Sequence, residues 1–340
     1  MKKPENKEII VSSRVRLARN LSGLPFPSRL KDDRAHKIAY DVYSALGGEN
    51  SPFRLYYVGA EDVTDMVVLK EKHLISDDLL HNQKYGGVIL NESDTVSVMV
   101  CEEDHIRIQC ILAGDHAQEA YSMASEIDDA LLKRLPVAFD QNLGFLTACP
   151  TNVGTGMRLS SMMFLPGISM TGQMPTLVSS LLRVNMMARG VYGEGSDANG
   201  FLYQISNQHT LGLSEQSILS EVEGAVNRIV DHEIDARKRL LSSKPIELRD
   251  EIQRSLGLLL HAYTLTSAEF MRAIALVKLG IYYDFITLPQ KGISKFERLI
   301  INARPASLQT ITNNDLSDDG ARDIFRATYV GKVLREIGVK

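Results

Sequence analysis

Arginines in strand-like segments are the residues of this chain whose type and spacing could do chemistry. In Val11-Ser-Ser-Arg-Val-Arg-Leu-Ala-Arg19, Arg14 and Arg16 stand two apart, and residues two apart on a strand project from one face. Arg107 sits on the polar face of the alternating segment His105 to Cys110, and Arg158 follows the turn Pro150-Thr-Asn-Val-Gly-Thr-Gly156. Guanidinium groups converging on one point would clamp a triphosphate through bidentate, charge-assisted bonds. Taken one at a time, each is better explained as a surface-strand arginine in an unrelated ion pair. The chain has no GxxxxGK[ST] and no GxGxxG after a strand, so the phosphate cradles of the P-loop and dinucleotide folds are not its route.

The elements that must position these side chains follow from periodicity. Val96 to Cys101 and His105 to Cys110 alternate in polarity around the acidic run Glu102-Glu103-Asp104, which predicts two antiparallel strands and a tight charged turn. Gly86 to Leu90, Gly144 to Cys149, Met157 to Leu165, Ala188 to Tyr192 and Phe201 to Ser206 are further strand candidates. Helical spacing covers Asp115 to Leu135 and Gln173 to Arg189, the second with Gly190 as its C′ residue. Strands follow one another too closely for a purely parallel sheet. From Ser214, a candidate cap, a long helix is expected to about Ser242. Beyond it come further helices punctuated by Pro245, Pro289 and Pro305, the last from about Asp318 to Ile337. The expected fold class is α+β: a mixed, largely antiparallel sheet flanked by helices in residues 1–230, then an all-helical domain in residues 231–340.

Composition bounds the function. With 340 residues the chain is long enough for about two domains. Its 44% apolar and 24% charged residues exclude a disordered chain. A net charge of −4 argues against a globally basic nucleic-acid binder. Three cysteines are no disulfide framework and fit a reducing compartment. The N-terminus has no apolar signal region. Charged residues interrupt the most apolar later stretch, Ser255 to Leu288, so no membrane span is expected. The reading is a cytoplasmic protein with neither nucleic acid nor membrane as partner.

Several segments together resemble the phosphagen (guanidino) kinases. Cys149-Pro-Thr-Asn-Val-Gly-Thr155 looks like that family's signature, and Cys101-Glu-Glu-Asp-His-Ile-Arg107 resembles its Asn-Glu-Glu-Asp-His-Leu-Arg segment. Ser13-Arg-Val-Arg16 and Tyr203-Gln-Ile-Ser-Asn207 match two more, in the family's order, across about residues 10 to 215. Arg189-Gly-Val-Tyr-Gly-Glu-Gly-Ser196, Glu71-Lys-His-Leu-Ile-Ser76 and Arg322-Asp-Ile-Phe-Arg-Ala327 are similar to the bacterial protein-arginine kinases of the same superfamily.

The resemblance implies ATP and Mg²⁺ as cofactors, with no metal cage made by the protein. A guanidinium is a poor nucleophile near neutral pH, so carboxylates must orient it and accept its proton. Glu103 is implied as the first. Small-guanidino kinases carry Glu at the Asp197 position, but the protein-arginine branch shares Glu194, which is therefore ranked above Asp197 as the second. Cys149 matches the family's reactive cysteine beside the substrate guanidinium. Cys101, where the family usually has Asn, and Cys110 read as core residues. The nucleotide site would take Ser12, Ser13, Arg14, Val15, Arg16, Arg107, Arg158, Leu159, Ser160, Ser161 and Met162. It would continue through Arg189, Gly190, Val191, Tyr192, Gly193 and Glu194. His73 is a candidate for stacking near adenine, with a surface or core histidine the equal alternative.

In the C-terminal element, Arg322 and Arg326 are four apart on one helix face, with Asp323 adjacent. The resemblance makes Arg322, Asp323, Arg326 and Ala327 an allosteric pocket for phospho-arginine. It also implies a homodimer, protein substrates with exposed arginines, a zinc-binding activator, and delivery of marked proteins to a Clp chaperone and protease with relief of stress-gene repression. Two other functions remain open here: a kinase for a free small guanidino compound, and a non-catalytic adaptor that reads phospho-arginine.

Overall fold

Period-2 alternation makes the first strand two-faced. The structure, a computed structural model, describes residues 6–30, 32–81, 86–191, 199–312, 316 and 318–339. A short helix α1 (Asn6–Ile9) leads into β1 (Ile10–Arg19). On β1, Ser13, Val15 and Leu17 turn to one fully buried face, while Arg14 and Arg16 turn to the other. There follow α2 (Asp32–Ala45), β2 (Phe53–Tyr57), α3 (Val63–Glu71), α4 (Asp77–His81), β3 (Gly87–Asn91), β4 (Val96–Val100), β5 (Ile106–Ala113) and α5 (Ala117–Leu132). The strands β6 (Phe139–Asp140) and β7 (Gly144–Phe145) make a separate ribbon, and β8 (Met157–Phe164) rejoins the main sheet. Next come α6 (Pro166–Met170), α7 (Met174–Leu182), β9 (Met186–Gly190), β10 (Leu202–Asn207) and α8 (Glu215–Ser243). The last helices are α9 (Pro245–His261), α10 (Ser267–Tyr282), α11 (Ile293–Asn302), α12 (Pro305–Thr310) and α13 (Asp319–Ile337).

The main sheet has eight strands in the order β2-β3-β4-β5-β1-β8-β10-β9. β1 is antiparallel to both β5 and β8, and the expected hairpin of β4 with β5 runs from Val96 opposite Cys110 to Val100 opposite Ile106. α2 and α5 pack on the face of Val15 and Leu17. On the other face, Met66, Leu74, Ile75 and Leu79 from the α3–α4 region bury Val88, Leu90 and Met99. The arginines of β1 lie on this second face, beside that small core.

The described chain forms two compact units. The first comprises Met1–Met163, Val178–Ala188 and Gln204–Val230; the second comprises Phe164–Leu177, Arg189–Tyr203 and Asp231–Lys340. The linear boundary at 230/231 falls inside α8, and it leaves 164–177 and 189–203 on the wrong side. Side-chain chemistry explains the first of these. The buried Glu233 carboxylate accepts from Gly167 N at 2.8 Å and Ile168 N at 2.9 Å, closing the start of α6. The core of the second unit joins Ile252 and Leu256 of α9, Phe270, Ile274 and Val277 of α10, and Val330 and Leu334 of α13. Among the described residues no helix is long and apolar enough to cross a membrane.

Three expected elements end differently. The helix expected to Arg189 stops at Leu182, Asn185 takes φ 55°, and Met186–Gly190 forms a strand; Gly190 therefore ends β9 and caps no helix. The strand expected to Cys149 ends at Phe145. The helix expected over 115–135 spans Ala117–Leu132. By contrast, Ser214 Oγ accepts from Ser217 N at 3.1 Å where α8 begins, and Asp318 accepts from Ala321 N where α13 begins.

Candidate active site

The site begins with β1, β5 and β8, whose registers bring three segments of sequence to one face. Arg16 is paired with Arg158 on β8 and with Gln109 on β5; Arg14 is paired with Ser160. Arg107 lies two residues from Gln109 and opposite Ala18, on the same face. Arg14 donates from Nη2 to Gln204 Oε1 at 2.6 Å and from Nε to Ser160 Oγ at 3.3 Å. Burial, then Arg107 and Arg158, bring Arg14 down to about 10 from the usual guanidinium range. Arg16 is pushed well below that range, first by burial, then by Arg14, Arg107 and Arg158, with Glu102 opposing. Four cations gathered on one face, two of them with proton affinity lowered by burial and by their neighbours, are a site for a polyanion.

The acidic run closes one end of this face. Cys101, at φ 56°, donates its N–H to His105 O at 3.0 Å and shuts the turn. Glu102 is buried, and its carboxylate accepts from Arg107 Nη1 at 2.5 Å and from Ser76 Oγ. Glu103 is partly exposed and takes Arg107 Nη2 at 3.3 Å. Burial raises the proton affinity of Glu103 above the usual carboxylate range; Arg107 opposes this, while Asp104, Glu102 and Asp78 add to it. Asp104 Oδ1 accepts from Asn20 Nδ2 at 2.6 Å and from Ala148 N at 2.7 Å. That carboxylate ties the residue after Glu103 to the residue before Cys149. His105 receives Leu21 N at Nδ1 and lies 3.0 Å from Pro25 O at Nε2, so it is a structural residue held in a neutral tautomer.

Cys149, expected at a strand end, instead starts a 3-10 turn (Pro150–Asn152), partly exposed, with Sγ 3.1 Å from Thr151 Oγ1. The turn needs its glycines. A Cβ on Gly154 (φ +117°) would lie 2.7 Å from Thr210 O, and one on Gly156 (φ +63°) 2.6 Å from Ala18 O. Cys101 and Cys110 are buried as expected, and burial pushes each thiol up to about 12.

Alternation divides the expected nucleotide residues. Ser12, Arg14, Arg16, Arg107, Arg158, Ser160 and Met162 share the arginine face by register. The side chains of Ser13, Val15, Leu159 and Ser161 face the other way, a correction that period-2 geometry imposes. Ser13 Oγ donates to Gly114 O at 2.9 Å and accepts from His116 N at 3.1 Å. His73 takes φ 61°, and its carbonyl accepts from Gln109 Nε2 at 2.8 Å. Arg189 is exposed near the end of β9 and belongs with Gly190 and Val191 to the second unit. Tyr192, Gly193, Glu194 and Asp197 lie outside the described residues. Sequence reasoning missed Ser76, Glu102 and Gln204. All three fall inside segments it had singled out, but nothing in residue type separates Glu102 from Glu103.

In the second unit the C-terminal arginines part company. Arg322 is partly exposed and donates to Leu316 O at 2.9 Å and to Asp319. Arg326 is fully buried, donating to Ala303 O and Leu265 O at 2.8 Å each and to Asp323 Oδ1 at 2.5 Å. Arg326 and the buried Ala327 are therefore scaffold, which corrects the expectation that both arginines face a ligand. Arg322 and Asp323 are the partly exposed members of the set, with side chains 25% and 24% exposed.

A family model described as ATP:guanido phosphotransferase, C-terminal catalytic domain, matches residues 34–236. Solved guanidino kinases share the fold: a lombricine kinase aligns with TM-score 0.59 at 23% identity over 67% of this chain and 66% of its own. The duplicated taurocyamine kinase of Schistosoma mansoni aligns with TM-score 0.61 at 23% identity, over 74% and 38%. Fold and motifs thus define a phosphotransferase of the ATP:guanido class. A second model, Protein-arginine kinase McsB C-terminal domain, matches residues 245–340. The protein-arginine kinase of Clostridium tetani is 40% identical over 97% of this chain and 96% of its own, and that of Caldanaerobacter subterraneus 39% over 97% and 98%. The chain belongs to the protein-arginine kinase family.

Proposed function

We propose that this kinase transfers the γ-phosphoryl group of ATP to a guanidino nitrogen of arginine side chains in proteins. The observation that carries this reading is the face on which Arg14, Arg16, Arg107 and Arg158 lie together beside Glu103. In a loose transition state, charge spreads over the equatorial oxygens of the transferring group, and preformed guanidinium donors stabilise it without reorganising. Ser12, Ser160 and Met162 border the same face, and His73 is proposed at the adenine end.

Glu103 is the proposed carboxylate that orients the substrate guanidinium and takes its proton. Its raised proton affinity brings it closer to that task near neutral pH. Cys149 is proposed beside the same guanidinium, since Asp104 ties its loop to that of Glu103. Glu194, ranked ahead of Asp197, is the proposed second carboxylate, and Arg189 a further phosphate ligand. As the resemblance implies, Mg²⁺ is proposed to come with the nucleotide rather than to be held in a cage made by the protein.

The test is incubation with Mg²⁺-ATP and an unfolded arginine-containing protein, beside free arginine, with mass spectrometry that preserves acid-labile P–N bonds. Phospho-arginine on the protein alone is the expected result. Product on the free amino acid alone would make this a metabolite kinase, and binding of phospho-arginine without turnover would make it an adaptor. The same reading places the protein in the cytoplasm as a homodimer, with a zinc-binding activator, a Clp chaperone and protease as receivers of its products, relief of stress-gene repression as a result, and Arg322 and Asp323 as the phospho-arginine sensor.

A further inference from the structure

We propose that Glu102 and Ser76 are positioning residues for Arg107, so that the first turn of α4 braces the nucleotide clamp. The inference rests on the reading of Arg107 as a phosphate ligand. Arg107 lies in the field of Arg14 and Arg16, and like charges would drive its long side chain outward into water. It is nevertheless only 11% exposed. The countercharge that holds it in is Glu102, whose fully buried carboxylate accepts from Arg107 Nη1 at 2.5 Å.

A buried carboxylate needs its remaining lone pairs satisfied. Glu102 Oε2 accepts from Glu103 N at 3.2 Å, and Oε1 also accepts from Ser76 Oγ. A hydroxyl has one proton to donate. Ser76 directs it at Glu102 because its oxygen accepts from Leu79 N at 3.2 Å, at the start of α4. A continuous path therefore runs from the α4 backbone through Ser76 and Glu102 to Arg107. The second acidic partner, Glu103, is 40% exposed and 3.3 Å from Nη2. Water and salt screen that contact, whereas the Glu102 contact is shielded from both. Glu102 thus keeps Arg107 in the clamp while Glu103 stays available to a substrate guanidinium.

The test is a double-mutant cycle on the full chain, reading the Kd and KM of MgATP, kcat and thermal melts. Ser76 is the better probe, because removing Glu102 leaves a buried Arg107 unpaired and endangers the fold. Ser76→Ala is expected to weaken MgATP roughly three- to tenfold with kcat little changed, and Ser76→Thr, which keeps the hydroxyl, to restore it. In an Arg107→Ala background Ser76→Ala should add nothing, since the path then leads nowhere. Equal effects in both backgrounds, or MgATP binding untouched by Ser76→Ala, would overturn the brace while leaving the clamp. If Arg107→Ala itself leaves MgATP binding unchanged, the clamp reading is what fails, and the brace falls with it.

Discussion

Arg16 stands directly across from Arg158 in the antiparallel pairing of β1 with β8. Directly opposed residues have Cβ atoms about 4.5–5.5 Å apart, and like charges there destabilise a sheet. Around this pair the fold holds Arg14 and Arg107 as well, with Glu102 the buried carboxylate that offsets them. The sheet carries an electrostatic cost that a bound polyphosphate would remove.

Arg16→Met should separate stability from function. Without nucleotide the variant is expected to be more stable by roughly 0.2–1 kcal/mol, a rise of at most about 4 °C in Tm. The wild type at about 100 times its Kd for MgATP should gain about 2.7 kcal/mol, and the variant should lose most of that. Scanning fluorimetry with and without MgATP checks both; an unstable variant with an intact nucleotide shift would refute the argument.

Glu103→Gln should abolish phosphoryl transfer and leave the fold intact. The sign of its pH effect follows from the upward shift. A carboxyl whose folded pKa is raised favours folding while protonated, below its ordinary value of 4.5, and that contribution is lost as pH rises through the folded value. At neutral pH the glutamine variant should therefore melt no lower than wild type, and any advantage should vanish as pH falls toward 4.5. The acid limb of wild-type activity should sit above the usual carboxylate range, because only the ionised form accepts a proton. Melts and rate profiles between pH 4.5 and neutrality measure this.

Cys101 offers a backbone test. It holds φ 56° at the head of the acidic turn, a region that Asn tolerates and β-branched residues do not. Cys101→Asn should fold normally. Cys101→Val, close in size, should cost about 1–3 kcal/mol and disturb Glu102 and Glu103 together. Denaturant titration with MgATP kinetics distinguishes this from an effect of side-chain size alone, which would spare the valine.

The two C-terminal arginines should fail in different ways. Arg326→Ala strands the Asp323 carboxylate and two carbonyls, and should destabilise the second unit by about 3–5 kcal/mol. Arg322→Ala should leave the melt within about 1 kcal/mol and remove the response of activity to added phospho-arginine. Melting curves paired with activity titrations read both. Loss of all activity at saturating substrate in Arg322→Ala would refute the sensor assignment.

Short-range relations were legible from the residues alone. Arg14 and Arg16 had to share a face, the Val96–Cys110 stretch had to form a hairpin, and Ser214 and Asp318 could cap helices, because such features depend on residues within a few positions of one another. The same locality misled at Asn185, where a helical pattern continued on paper across a left-handed residue and into a strand. Only tertiary structure decided which of two adjacent glutamates is buried against Arg107, that Arg158 faces Arg16, and that Arg326 serves the carbonyls of Ala303 and Leu265 rather than a ligand. Each of those outcomes depends on register or burial between segments far apart in the chain. Residue type states what a side chain can bond; closure of the sheet and of the helical unit determines which groups come within reach.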